Sequence, residues 1–174
     1  MELIGRMLDG SISYGDPGLE PVPSAASIKQ DEKMERLEGV PLFERCTRRE
    51  LRAIARIAES FDAAAGTVLI RAGEPGEEFF LIVEGTARVH VSAKKRARLR
   101  AGDFFGEMSL LDGEPRSATV VAETAMRLLV ISRRNFSGLL EKVPGMVQTL
   151  LATLSRRVRL GERALDMSRH ASSR

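Results

Sequence analysis

Within residues 102–121, GDFFGEMSLLDGEPRSATVV, a carboxylate, Glu107, stands nine residues ahead of an arginine, Arg116. Arginine supplies a permanent cation whose forked donors match phosphate oxygens. An ionised glutamate only accepts hydrogen bonds, which suits a sugar hydroxyl. Between them, Glu107-Met108-Ser109-Leu110-Leu111 is a helix-capable run opened by Gly106, and Gly113-Glu114-Pro115 is a turn. The first N–H groups of a helical turn have no intrahelical partners and favour an anion. These types and spacings predict a closed pocket for a small ligand with hydroxyl groups and one negative charge. The alternative is an internal Glu107–Arg116 ion pair that closes a surface loop.

The elements that must position this pocket read as follows. Residues 31–60 predict two helical pieces broken at Gly39-Val40-Pro41, the second opening with the capping-box pattern Thr47-Arg48-Arg49-Glu50. From 61 to 132 the pattern becomes short strands at 67–71, 79–83, 86–92, 97–100, 118–122 and 127–131. Gly-rich turns separate them, and alternation such as Ala87-Arg88-Val89-His90-Val91 marks a half-buried antiparallel sheet. Helical patterning returns at 133–141, with Phe136, Leu139 and Leu140, and then runs from Pro144 to about Leu165. The fold class expected is α+β: an antiparallel β jelly-roll barrel flanked by N-terminal helices and one long C-terminal helix. In that last helix Val147, Leu151, Leu154, Val158 and Leu165 follow a heptad spacing interrupted at Gly161. The stripe fits either a face packed on the domain's own core or a seam with a second copy of the chain. Residues 1–30 read as a flexible segment: an apolar stripe at Leu3, Ile4, Met7 and Leu8, then a Gly/Pro/Ser-rich linker over 9–30. Residues 166–174 read as a tail.

With these residues in place, the chain resembles the cyclic nucleotide-binding domain family, which includes kinase regulatory subunits, gated channels and the bacterial catabolite activator. The likeness rests on Phe105-Gly106-Glu107-Met108-Ser109-Leu110-Leu111 and Pro115-Arg116-Ser117-Ala118-Thr119-Val120, which follow the family's phosphate-binding cassette. The helical lead-in around Pro41-Leu42-Phe43 is similar too. The resemblance extends over about residues 35–165. It implies that Glu107 holds the ribose 2′-hydroxyl and Arg116 the exocyclic phosphate oxygens. The N–H groups of Gly106 and Ala118 and the Ser117 hydroxyl would complete a cradle lined by Phe105, Met108 and Ser109. It further implies a relay in which Leu110 or Leu111 moves against Phe136, Leu139 or Leu140 and the terminal helix closes over the base. Ser117 leaves the base open, because its hydroxyl suits either a guanine amino group or the phosphate; cAMP is the ligand expected and cGMP the alternative. Gly161 and Glu162 stand where the bacterial activator places two hydroxyl residues against adenine, so those contacts differ here.

Composition narrows the function classes. The chain has 174 residues, 43% hydrophobic and 29% charged, with a formal net charge of +3. That is enough for one domain with a sizeable core and too little charge to imply nucleic-acid binding by itself. No apolar run approaches the roughly 20 residues of a membrane span, and Met1–Gly10 lacks the features of a signal peptide. Cys46 is the single cysteine, which rules out an internal disulfide and fits a cytoplasmic setting. With two histidines, His90 and His170, haem, iron–sulfur or metal chemistry is not expected, and no cofactor is foreseen. No catalytic triad, metal-ligand cluster or Walker loop is visible, so no enzymatic activity is expected. Residues 155–174 carry six arginines, 156, 157, 159, 163, 169 and 174, against Glu162 and Asp166. Without interleaved aromatics they read as a solvated helix face and argue against nucleic acid as a partner. Only nine residues follow Leu165, so a DNA-reading domain is not expected. The function expected is a non-catalytic cyclic-nucleotide sensor that relays binding to a protein effector or within a dimer formed through helix 144–165. The competing readings are a transcription regulator and an interaction module that keeps the fold without the response.

Overall fold

The computed structural model describes residues 30–91 and 96–171. The expected apolar stripe at 3–8 and all but the last residue of the expected 9–30 linker lie outside the described residues. The helical lead-in is α1, Gln30–Glu38, a 3₁₀ turn at Pro41–Phe43, and α2, Arg48–Ile57. α2 begins with the capping box: Thr47 accepts from the Glu50 N–H at 3.3 Å while the Glu50 carboxylate accepts from the Thr47 N–H at 2.7 Å. Helix was expected as far as residue 60, yet it stops at Ile57 and residues 59–63 form β1. The reason is pairing: Glu59–Ala63 lies antiparallel to β8 in five-residue register, and Ala63 is buried between the sheets. Tertiary pairing has overridden a local helical pattern.

The eight strands are β1 (Glu59–Ala63), β2 (Val68–Ile70), β3 (Glu78–Glu84), β4 (Thr86–His90), β5 (Arg96–Arg100), β6 (Phe104–Phe105), β7 (Thr119–Ala122) and β8 (Met126–Ser132). They form two four-stranded antiparallel sheets, ordered β1-β8-β3-β6 and β2-β7-β4-β5. Among the described residues no hydrogen-bonded ladder joins the two sheets, so the expected α+β jelly roll takes the form of a two-sheet sandwich. The short strand β6 was also not expected; two residues carry no alternation to read. α3 (Glu107–Asp112), α4 (Arg133–Lys142) and α5 (Pro144–Ala171) complete the fold. α5 runs past the expected end at Leu165.

Two apolar cores share the first sheet. Phe80, Ile82, Phe105, Leu128 and Val130 point between the sheets, where they meet Leu69, Ala87 and Val120. Their neighbours Phe79, Leu81, Phe104, Leu129 and Ile131 point to the opposite face, against Leu51, Ile54, Phe136, Leu139, Met146 and Leu150 of the helices. Burial of both faces explains why β3 and β8 read as continuous apolar runs instead of alternating ones. It also fixes β6: Phe105 stacks on Phe80 with ring centroids 4.9 Å apart, while Phe104 packs against Phe79 at 5.6 Å. The chain thus leaves the sheet at Gly106 with its direction set on both faces.

Candidate functional site

Gly106, between β6 and α3, has φ +86°, a left-handed conformation that favours glycine. A Cβ there would lie 2.7 Å from the Glu78 carbonyl oxygen and 2.8 Å from Arg116 Nη1. Gly76 is equally confined: its Cβ would stand 2.8 Å from Arg116 Cζ. Two glycines therefore let the backbone close on one guanidinium. Arg116, 4% exposed, donates from Nη1 to the Gly106 carbonyl at 2.8 Å and from Nη2 to the Glu78 carbonyl at 2.9 Å. The same Nη2 lies 3.3 Å from Glu78 Oε2. Burial lowers the guanidinium's proton affinity while Glu78 and Glu107 raise it, and arginine remains a cation throughout.

Glu107, the first residue of α3, is 2% exposed. It does not pair with Arg116; its partner is Arg157 of α5, which donates from Nη1 to Glu107 Oε1 at 2.7 Å. Arg157 also donates from Nη2 to the Phe104 carbonyl at 2.8 Å, and its guanidinium lies 4.8 Å from the centre of the Phe104 ring. Burial pushes the Glu107 carboxyl above its ordinary pKa, against the pull of Arg157, a backbone N–H and Arg116. The direct Glu107–Arg116 pair, the alternative open at the level of sequence, is overturned. Glu107 and Arg116 are each held by a charge from a distant part of the chain, Arg157 and Glu78 respectively.

The other residues expected in the cradle differ in burial. Phe105 and Ser109 are buried and Ala118 is 8% exposed, while Met108 and Ser117 lie at the surface with the Ser117 hydroxyl 3.6 Å from Met108 Sδ. Of the expected relay residues, Leu110, Phe136 and Leu139 share one buried cluster, with Leu140 packed against it. Leu111 points away and is exposed. Arg133, at the start of α4, donates from Nη2 to the carbonyls of Gly76 at 2.6 Å and Ser109 at 3.1 Å, and from Nε to Glu77 at 3.1 Å. It ties α4 to α3 directly. Sequence reasoning did not single out Arg157, Arg133 or Glu78 for the site. Arg157 belongs to an arginine-rich run read as solvated, and no local spacing links it to Glu107. Among the described residues no His/Cys/Asp/Glu group could hold a metal ion.

Residues 61–143 match the family model of the cyclic nucleotide-binding domain. This chain carries a cyclic nucleotide-binding domain. Over 115 residues it is 39% identical to a cyclic nucleotide-gated potassium channel of Mesorhizobium japonicum, a match covering 66% of this chain and 32% of the channel. Over 121 residues it is 38% identical to a cAMP-dependent protein kinase regulatory subunit of Mycosarcoma maydis, covering 64% of this chain and 23% of that subunit. The chain therefore spans a third or less of these relatives. Among solved structures, the PKAR domain CBD2 bound to Sp-2Cl-cAMPS superposes with a TM-score of 0.67 at 26% identity, covering 79% of this chain and 90% of that one. The family is one of regulatory, non-catalytic sensor domains. No helix among the described residues is long and apolar enough to cross a membrane.

Proposed function

We propose that this cyclic nucleotide-binding domain is a cAMP sensor in which ligand and C-terminal helix compete for the same carboxylate. The observation that carries the reading is the pairing of Glu107 with Arg157 of α5 beside a buried Arg116. A cyclic phosphodiester brings one negative charge for Arg116 and a ribose hydroxyl for Glu107. Once that hydroxyl donates to Glu107, Arg157 loses its anchor and α5 is free to rearrange over the base. The ligand shifts the balance only by its differential affinity for the two arrangements of α5. cGMP is the weaker candidate; the exposed Ser117 hydroxyl suits either a guanine amino group or the phosphate. The output runs through α5, whose Leu151 and Val158 are exposed and seven residues apart, a face suited to a second copy of the chain or to an effector protein. The setting proposed is the cytoplasm, where Cys46 stays reduced.

The test is calorimetric titration with cAMP and cGMP, in parallel with Arg116→Ala. A charged hydrogen bond contributes about 1.5–3 kcal/mol and a stranded phosphate costs more, so the variant binds about 100-fold more weakly or worse. Glu107→Gln, which keeps one acceptor oxygen, loses less. Because Arg116→Ala strands Glu78, its fold is checked by melting, and Arg116→Lys, with the charge but not the fork, gives a second reading. An unchanged dissociation constant in both Arg116 variants sinks the assignment.

A further inference from the structure

Glu78 opens β3 and faces the phosphate arginine from behind. It is 2% exposed, its Oε2 lies 3.3 Å from Arg116 Nη2, and its Oε1 is buried without a hydrogen-bond partner. A half-satisfied buried carboxylate is costly and invites a reason. Orienting Arg116 is not sufficient reason, because the Gly106 and Glu78 carbonyls already fix its two terminal nitrogens at 2.8 and 2.9 Å. Nor do the neighbouring cations answer it. Arg133 of α4 is committed to Glu77, the residue before Glu78, and Arg157 of α5 to Glu107 of α3. Among the described residues, the charged groups acting on Glu78 are Arg116, its ion-pair partner, and the neighbouring Glu77, while Arg133 and Glu107 act in turn on Arg116.

We infer that Glu78 is a built-in competitor for the phosphate-binding arginine, a positioning residue whose carboxyl takes up a proton when a cyclic nucleotide binds. The inference rests on the reading of Arg116 as the phosphate site. With the ligand in place, two anions share one guanidinium in an environment of low dielectric. Such sites relieve the repulsion by protonating the group that can accept a proton, as paired carboxylates do. The phosphodiester, a strong acid, keeps its charge, so the proton goes to Glu78. Burial already holds this carboxyl above its ordinary value, while Arg116 pulls the other way. The protonated form is then the binding-competent one, and affinity falls as pH rises through the Glu78 titration.

The experiment is cAMP titration of the whole chain between about pH 5.5 and 8, in paired buffers of different ionisation enthalpy. The expected result is proton uptake on binding and a dissociation constant that weakens with pH, by at most about tenfold per unit for one proton. Glu78→Gln binds more tightly than wild type at the alkaline end and loses the slope. Glu107→Gln binds less well but keeps the slope. Binding without proton uptake, or a slope that survives in Glu78→Gln and vanishes in Glu107→Gln, overturns the inference while leaving the sensor intact. The buffer comparison on wild type decides the matter even if Glu78→Gln does not fold. Failure of cAMP and cGMP to bind at any pH overturns the sensor reading and this one together.

Discussion

At the scale of single residues, the site holds two ion pairs, Glu107–Arg157 and Glu78–Arg116. Arg157 is the more telling one, since its guanidinium serves three masters at once: the Glu107 carboxylate, the Phe104 carbonyl and the Phe104 ring. Removing it leaves Glu107 buried without its cation. A buried polar group so stranded costs about 1–3 kcal/mol. Arg157→Ala is therefore expected to melt earlier than wild type in the ligand-free state at pH 8. The gap is expected to narrow as pH falls through the raised Glu107 titration, where the carboxyl escapes by taking a proton, and under saturating cAMP if the ligand takes over Glu107 as proposed. Equal melting temperatures at pH 8 would mean that the contact holds nothing. The pair Glu107 and Arg116 could be read from sequence because the cassette places them nine residues apart in a dense motif. Their partners could not, since Arg157 is 50 residues from Glu107 and Glu78 is 38 from Arg116. Only the sandwich brings them together.

At the scale of elements, the proposed relay would run through a chain of packed helices. Leu110 of α3 shares a buried cluster with Phe136 and Leu139 of α4 and with Met146 and Leu150 of α5. Phe136 itself stacks on Phe79 of β3 at 5.0 Å, which seats α4 on the sheet. Arg133 adds a polar strut to the Ser109 carbonyl of α3. Such contacts are bistable rather than deformable, and a shift of α3 must be passed on. Saturating cAMP is expected to change amide exchange in 133–161 while leaving β3 and β8 unaffected, measured by mass spectrometry together with sedimentation to follow any change in association. Exchange in α4 and α5 that ignores the ligand would break the relay. Much of this scaffold was visible beforehand: the Thr47–Glu50 box, Pro144 at the head of α5 and the alternation of β4 all reflect local chemistry. β1 was hidden because Glu59-Ser60 follow directly on a helical pattern and gain strand structure only through β8. The heptad stripe divides in the structure: Leu154 packs against the domain's own core, whereas Leu151 and Val158 remain exposed. One periodic pattern serves two faces, which sequence spacing alone does not separate.

At the scale of the whole molecule, the two buried carboxylates make stability depend on pH in an unusual sense. Glu78 and Glu107 both have pKa values raised above the ordinary carboxylate value, chiefly by burial. The folded protein holds those protons more tightly than the unfolded chain does. Their contribution is thus most favourable below the ordinary carboxylate pKa, about 4, and is lost as pH rises through the raised values. Glu50, in the capping box, and Glu123, between Arg88 and Arg98, have lowered values instead, Glu50 through its bonds with Thr47 and Glu123 through those with the two arginines. What they contribute is present above the ordinary pKa and disappears as pH falls through the lowered ones. The two opposing trends place the stability maximum of the ligand-free protein between the lowered carboxylate values and the raised ones, with decline as pH climbs through the latter. Differential scanning calorimetry across this range tests it, with Glu78→Gln and Glu107→Gln combined as the control that flattens the alkaline limb. A wild-type melting temperature with no decline on the alkaline side would mean that neither carboxyl is raised.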